Sequence, residues 1–194
     1  MTDAPTISGR RPAGLGPGRL ILIVGPSGAG KDTLLGLART AFADNSNIIF
    51  QRRVVTREAS SFEDNDQMSA ESFRQARMRG DFAVHWEAHG HCYGLPSAID
   101  DEIGAGRTVV ANVSRAVVDG MRRAYADVTV VAVTAPPEVL AERLAARARG
   151  SDGRLADRLG RAAGGVEAAP DVTISNVGDV AHHARVLVRI IRGE

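Results

Sequence analysis

Residues 19–33 read Arg19-Leu20-Ile21-Leu22-Ile23-Val24-Gly25-Pro26-Ser27-Gly28-Ala29-Gly30-Lys31-Asp32-Thr33: an unbroken apolar run, a glycine-rich turn, then a lysine. The run has the length and composition of a strand buried on both faces. Gly25, Gly28 and Gly30 let successive backbone N–H groups turn toward one point. A helix starting at Lys31 adds its positive N-terminal end, and the Lys31 ammonium reaches the outer phosphates of a nucleoside triphosphate. Gly25, Pro26, Ser27, Gly28, Ala29, Gly30, Lys31, Asp32 and Thr33 are therefore the expected contacts of the ATP phosphates. One letter departs from the usual loop. The position after the lysine commonly carries a Ser or Thr that ligates magnesium. This chain has Asp32 there, with a hydroxyl one place later in Thr33. Either is a candidate Mg2+ ligand, and the sequence leaves the choice open.

Composition bounds the rest. A chain of 194 residues with 44% hydrophobic content suits one compact α/β domain. Lys plus Arg is 24 against 23 for Asp plus Glu, a net charge of +1 that gives no field for nucleic acid or a membrane surface. Lys31 is the only lysine; every other cation is an arginine, whose planar fork suits bidentate phosphate recognition. The single cysteine, Cys92, excludes an internal disulfide and fits a cytoplasmic protein. No stretch has the apolar length of a membrane span, and the start lacks the apolar centre of a signal peptide.

Residues 1–18 are rich in Pro and Gly and are expected to be a flexible lead-in, with the domain occupying 19–194. Strand patterns at 19–24, 47–55, 82–85, 108–113, 128–135 and 172–175 alternate with helical ones at 31–42, 70–79, 97–105, 116–125, 137–149, 152–163 and 179–192. That alternation predicts a parallel sheet flanked by helices. Ser69 is the expected N-cap of the second helix and Gly80 its stop.

A phosphate loop serves many chemistries, so the acceptor is read elsewhere. Gln51-Arg52-Arg53-Val54-Val55-Thr56-Arg57 reads as a strand whose alternation places Arg53, Val55 and Arg57 on one side. Two guanidinium groups on one side of a strand call for an anion. Further on stands Gly80-Asp81-Phe82-Ala83-Val84-His85-Trp86-Glu87-Ala88-His89-Gly90-His91-Cys92-Tyr93-Gly94-Leu95. With the phosphate loop and Val55-Thr56-Arg57, this stretch resembles the guanylate-kinase-like group of nucleotide kinases, P-loop enzymes with an acceptor-binding segment and an arginine-rich lid. The likeness runs from about Arg19 to the C-terminus and implies that the Tyr93 hydroxyl holds an acceptor phosphate. His85, Asn112 and Ser114 stand where guanylate kinases keep their guanine-reading groups, and Leu95 replaces a small hydroxyl residue. A pocket lacking those acceptors rejects GMP by orders of magnitude.

Lys31-Asp32 with Asn112-Val113-Ser114-Arg115 resembles, within that group, the ribose 1,5-bisphosphate phosphokinases of bacterial phosphonate breakdown. That resemblance implies transfer of the ATP γ-phosphoryl group to the 1-phosphate of ribose 1,5-bisphosphate, giving 5-phosphoribosyl 1-diphosphate (PRPP). Arg53, Arg57, His85, Tyr93, Asn112, Ser114 and Arg115 are the implied acceptor contacts. Residues 142–161 resemble the family's lid, with Arg147 and Arg158 at the positions that close over the phosphates. Lys31, Arg147 and Arg158 are then the expected catalytic groups. Two other readings stand beside this one: a nucleoside monophosphate kinase with altered base recognition, and a non-catalytic binding module of the same fold. A homodimer is left open. His85, His89, His91 and Cys92 are close in sequence but lack the paired spacing of a zinc site, and Trp86 reads as core packing.

Overall fold

The computed structural model describes residues 6–7, 13–56, 65–88, 90–148 and 169–194, with the side chains of 147 and 148 excepted. Its first layer is a five-stranded parallel sheet of β2 (Arg19–Val24), β3 (Ile48–Gln51), β8 (Thr108–Asn112), β9 (Val128–Thr134) and β10 (Val172–Ser175), in the order β10-β9-β2-β8-β3. β2 is the central strand, paired with β8 and β9. This is why residues 20–24 are apolar without alternation. Leu20, Leu22 and Val24 join one core cluster and Ile21 and Ile23 the other, all 3% exposed or less.

Helices α1 (Lys31–Ala41) and, at the C-terminus, α6 (Val180–Arg192) pack on the Ile21 face. α3 (Ile99–Gly104) and α4 (Val118–Ala124) pack on the Leu20 face. α2 (Ala70–Arg79) begins at Ser69, whose hydroxyl accepts from Ser72 N at 3.1 Å, and ends at Gly80 in the left-handed region, as the sequence predicts. α5 (Pro137–Ala148) follows β9 directly.

The second layer corrects the all-parallel expectation. β6 (Phe82–Ala88) belongs to a separate sheet, ordered β1-β6-β7-β4-β5 with β1 (Thr6–Ile7), β4 (Val54–Val55), β5 (Asp66–Gln67) and β7 (His91–Pro96). β6 and β7 form an antiparallel hairpin with Trp86 opposite Tyr93. Gly94 and Pro96 depress strand propensity in β7, which hides it from a propensity reading. The expected strand 47–55 also divides: β3 pairs with β8 in the parallel sheet, while β4 pairs with β7 in the other. Arg52 and Arg53 make the passage between the sheets, and Val54 and Val55 are both buried, so simple alternation fails here. Residues 6–7 and 15 are likewise built into the fold rather than lying outside it. Thr6 pairs with His85, a Cβ on Gly120 would stand 2.5 Å from Ile7 Cδ1, and Leu15 N donates to Ala124 O at 2.9 Å.

Tyr125, 2% exposed, ties α4 to α3 by donating its hydroxyl to Asp100 Oδ1 at 2.6 Å. Hydrogen bonds to charged groups are worth about 1.5–3 kcal/mol, so Tyr125→Phe should lower the unfolding free energy by about that amount in a urea titration. An unchanged midpoint would show that the bond adds nothing.

Candidate active site

The phosphate loop leaves the C-terminal end of the central strand, where sheets of this class hold their ligands. Gly25, Gly28 and Gly30 have φ values of 143°, 86° and 88°, conformations that L side chains rarely adopt. Space adds to the demand: a Cβ on Gly25 would stand 2.0 Å from Val133 O, and one on Gly30 2.3 Å from Asn176 Nδ2.

The loop carbonyls are held on one side. Asn176, 4% exposed, donates from Nδ2 to Ala29 O at 2.8 Å. Arg143 of α5 donates from Nη1 to Gly28 O at 3.3 Å and from Nη2 to Asn176 O at 2.9 Å. Lys31 Nζ lies over the loop, donating to Gly25 O at 2.8 Å and Pro26 O at 2.9 Å. With the carbonyls accepted elsewhere, the loop can present N–H groups to an anion, joined by the first amides of α1, which have no intrahelical acceptor. Arg143 and Asn176 were not singled out by the sequence reading. Two signals were available: Arg143 is one turn before Arg147 on the same helix, and Asn176 stands just past the C-terminal end of β10.

Asp32 and Thr33 diverge. Thr33 is exposed, whereas Asp32 is half-buried and receives Asn112 Nδ2 on its Oδ1 at 3.3 Å. Asp32 lines a cleft together with Arg39 from α1, Arg52, Arg53, Asn65 and Asn112. Among the described residues, Asn112 Oδ1 is the one buried side-chain oxygen with no hydrogen-bond partner. A carboxylate beside an unpartnered amide oxygen is a hard-oxygen donor set of the kind magnesium takes, so the residues fit the metal that accompanies ATP. Arg39 and Asn65 were not anticipated; the place of Arg39 at i+7 from Asp32 puts those two α1 residues on one face of the helix.

The second sheet carries several of the residues expected to bind the acceptor. Arg53 Nε donates to Asn65 Oδ1 at 2.9 Å, and its guanidinium carbon lies 5.3 Å from the Tyr93 ring centroid. Tyr93 stacks on Trp86, centroids 5.6 Å apart and 8° from parallel, with both rings buried. Arg53 and Tyr93, two of the expected acceptor contacts, are thus brought together by the fold. His85 is not with them. It pairs with Gly94, and a Cβ on Gly94 would point into the Phe82 ring, so strand alternation turns His85 toward the α2 face, away from Tyr93. Ser114 Oγ accepts from Ala116 N at 3.3 Å and caps the short 3-10 turn that Arg115 opens, with Arg115 half-buried beyond Asn112. Arg57, Arg158 and the side chain of Arg147 fall outside the described residues, so the lid arginines and the second arginine of the 51–57 segment are not placed. Burial, reinforced by the Glu87 carboxylate, pushes the Cys92 thiol up, which keeps it protonated and poorly nucleophilic near neutral pH.

A family model described as an AAA domain matches residues 21–162. The ribose 1,5-bisphosphate phosphokinase PhnN of Rhodopseudomonas palustris is 64% identical over 178 residues, covering 92% of this chain and 90% of its own. The protein of the same name from Bradyrhizobium diazoefficiens is 57% identical over 194 residues, covering 100% and 98%. Among solved structures, guanylate kinase from Anaplasma phagocytophilum superposes with a TM-score of 0.64 at 22% identity over 94% of this chain and 88% of that one, a likeness of fold.

Removing Asn176's amide leaves the Ala29 carbonyl buried without its donor, at a cost of about 1–3 kcal/mol. Asn176→Ala should weaken binding of a fluorescent ATP analogue by about one to two powers of ten. Unchanged affinity would show that the loop holds its shape without the clamp.

Proposed function

The chain belongs to the ribose 1,5-bisphosphate phosphokinase family, within the AAA-domain grouping of P-loop proteins, and on that premise we propose that it transfers the γ-phosphoryl group of ATP to the 1-phosphate of ribose 1,5-bisphosphate. A terminal oxygen of the 1-phosphate forms the new bond to the γ-phosphorus, the bond from that phosphorus to the β,γ-bridging oxygen breaks, and ADP leaves. The product is 5-phosphoribosyl 1-diphosphate. The attacking oxygen is already anionic, so no general base is required, and catalysis reduces to alignment and charge neutralisation.

The observation that carries this reading is the make-up of the cleft beside the phosphate loop. Arg39, Arg52 and Arg53 line it with Asp32 and Asn112, and no acidic group stands at position 112 to accept a purine's N–H groups. Arginines meet a substrate with phosphates at both ends better than they meet a neutral base. In this arrangement Lys31 leaves the Gly25 and Pro26 carbonyls for the outer phosphates of ATP, and the loop amides take the rest of the triphosphate's charge. Arg53, braced by Asn65 and the Tyr93 ring, holds an acceptor phosphate with the Tyr93 hydroxyl, Arg57 and Arg115. Arg147 and Arg158 close from the lid and exclude water. His85 and Ser114 contribute to the shape of the site rather than to direct contact. Asp32, which faces the cleft, is the metal ligand in preference to the exposed Thr33. A Mg2+ held there would supply charge neutralisation for the transferring group. The protein works as a cytoplasmic enzyme on a small-molecule substrate, without nucleic acid or membrane.

Purified protein with Mg2+ and γ-labelled ATP, offered ribose 1,5-bisphosphate beside a panel of nucleoside monophosphates, should label the sugar. Label in GMP alone would contradict the reading, and label in no acceptor would favour a binding module. Lys31→Ala should keep the wild-type circular dichroism spectrum and lose transfer by on the order of 10²-fold or more. Near-wild-type turnover would show the loop assignment to be wrong.

A further inference from the structure

Asp32 and Asn112 are 80 positions apart in the chain, yet the fold sets them in contact. Asn112 ends β8, in register with Ile23 of the neighbouring β2, two residues before the loop begins. Asp32 sits in the first turn of the helix that follows the loop. Asn112 Nδ2 donates to Asp32 Oδ1 at 3.3 Å, which fixes the amide's orientation: turned the other way, it would set its oxygen against the carboxylate. Asn112 Oδ1 then remains buried with no partner. Buried polar atoms are nearly always paired, so an oxygen with no partner among the described residues suits a donor carried in by a ligand.

In P-loop NTPases generally, the metal is held by a neutral hydroxyl just after the lysine and by a carboxylate at the end of a strand. Here the carboxylate stands after the lysine and the neutral group at the strand end. The geometry points to a charge exchange: Asp32 and Asn112 act as one magnesium-holding pair, Asp32 ligating the metal of Mg·ATP, while Asn112 orients that carboxylate through Nδ2 and offers Oδ1 to a metal-bound water. Magnesium keeps several of its waters, all of them donors, and an oxygen without a partner suits them. Asn112 is thus a positioning residue of the donor side, in contact with Asp32 rather than reserved for the acceptor. The inference rests on the proposed ATP site and is independent of which acceptor is used.

Binding of a fluorescent ATP analogue, titrated with Mg2+ in the absence of any acceptor, separates the possibilities. Asn112→Leu should raise the Mg2+ midpoint about 10- to 100-fold, the usual effect of losing a group that orients a metal ligand. Asp32→Ser should raise the midpoint at least as much. Asp32→Ser combined with Asn112→Asp, which returns one carboxylate to the pair from the other side, should bring the midpoint back toward the wild-type value. An unchanged midpoint in Asn112→Leu, or a double variant no better than Asp32→Ser alone, overturns the inference. Thermal melts identify any variant that does not fold. If Asn112→Leu is one of these, Asn112→Asp alone decides: a second carboxylate beside Asp32 should weaken metal-free nucleotide binding, and unchanged metal-free affinity overturns the pairing. Because no acceptor is present, failure of the sugar-bisphosphate reading leaves all of these readouts standing.

Discussion

A loop that binds a triphosphate through its amides has to dispose of its carbonyls, and the rest of the site depends on how that is done. Each peptide unit carries both groups, so turning the N–H inward sends the C=O toward the protein, where it needs a donor. Asn176 supplies one to Ala29 and Arg143 one to Gly28, while Arg143 also fastens Asn176 itself. These residues arrive from β10 and α5, elements on the far side of β2 from the acceptor cleft. The central position of β2 lets one loop be braced from the β9–β10 side and face its substrate on the β8 side. α5 also leads in sequence into residues 149–161, part of the segment proposed as the lid, so the clamp on the loop and the proposed lid share one stretch of chain.

The proposed acceptor side is built differently, from the second, mainly antiparallel sheet. Its cation is not left to solvent: Arg53 is fixed by Asn65 and lies over Tyr93, which is in turn stacked on Trp86. A guanidinium held by a hydrogen bond and a ring face loses little rotamer freedom when an anion arrives, so more of the contact energy appears as affinity. The absence of a carboxylate at position 112 and the presence of one at position 32 then belong together. On the proposed assignment, the Asp32–Asn112 pair carries its one carboxylate on the loop side.

Much of this was legible in the sequence because it follows from local rules. The apolar run 20–24, the glycines at 25, 28 and 30 and the lysine at 31 define a strand, a turn and a helix start whose spacing has few other physical uses. Ser69 and Gly80 bracket α2 for equally local reasons. The second sheet was not legible, since β4 and β5 are two residues long and β7 holds Gly94 and Pro96; their stability comes from partners far along the chain. For the same reason the side of the sheet taken by His85 depended on the hairpin register, which places it opposite Gly94. Arg143 and Asn176 escaped notice because their partners are main-chain carbonyls, which leave no mark in a side-chain pattern. The contact of Asp32 with Asn112 could not be read from either residue alone, although both had stood out as departures.

The most direct measurement is a crystal structure of the protein with Mg2+ and a non-hydrolysable ATP analogue. The Lys31 ammonium should have left the Gly25 and Pro26 carbonyls for the outer phosphate oxygens, with Asn176 and Arg143 still bonded to Ala29 and Gly28 and the metal on the Asp32 side of the loop. A triphosphate seated elsewhere, with Lys31 still folded onto its own loop, would contradict the assignment of this loop as the donor site.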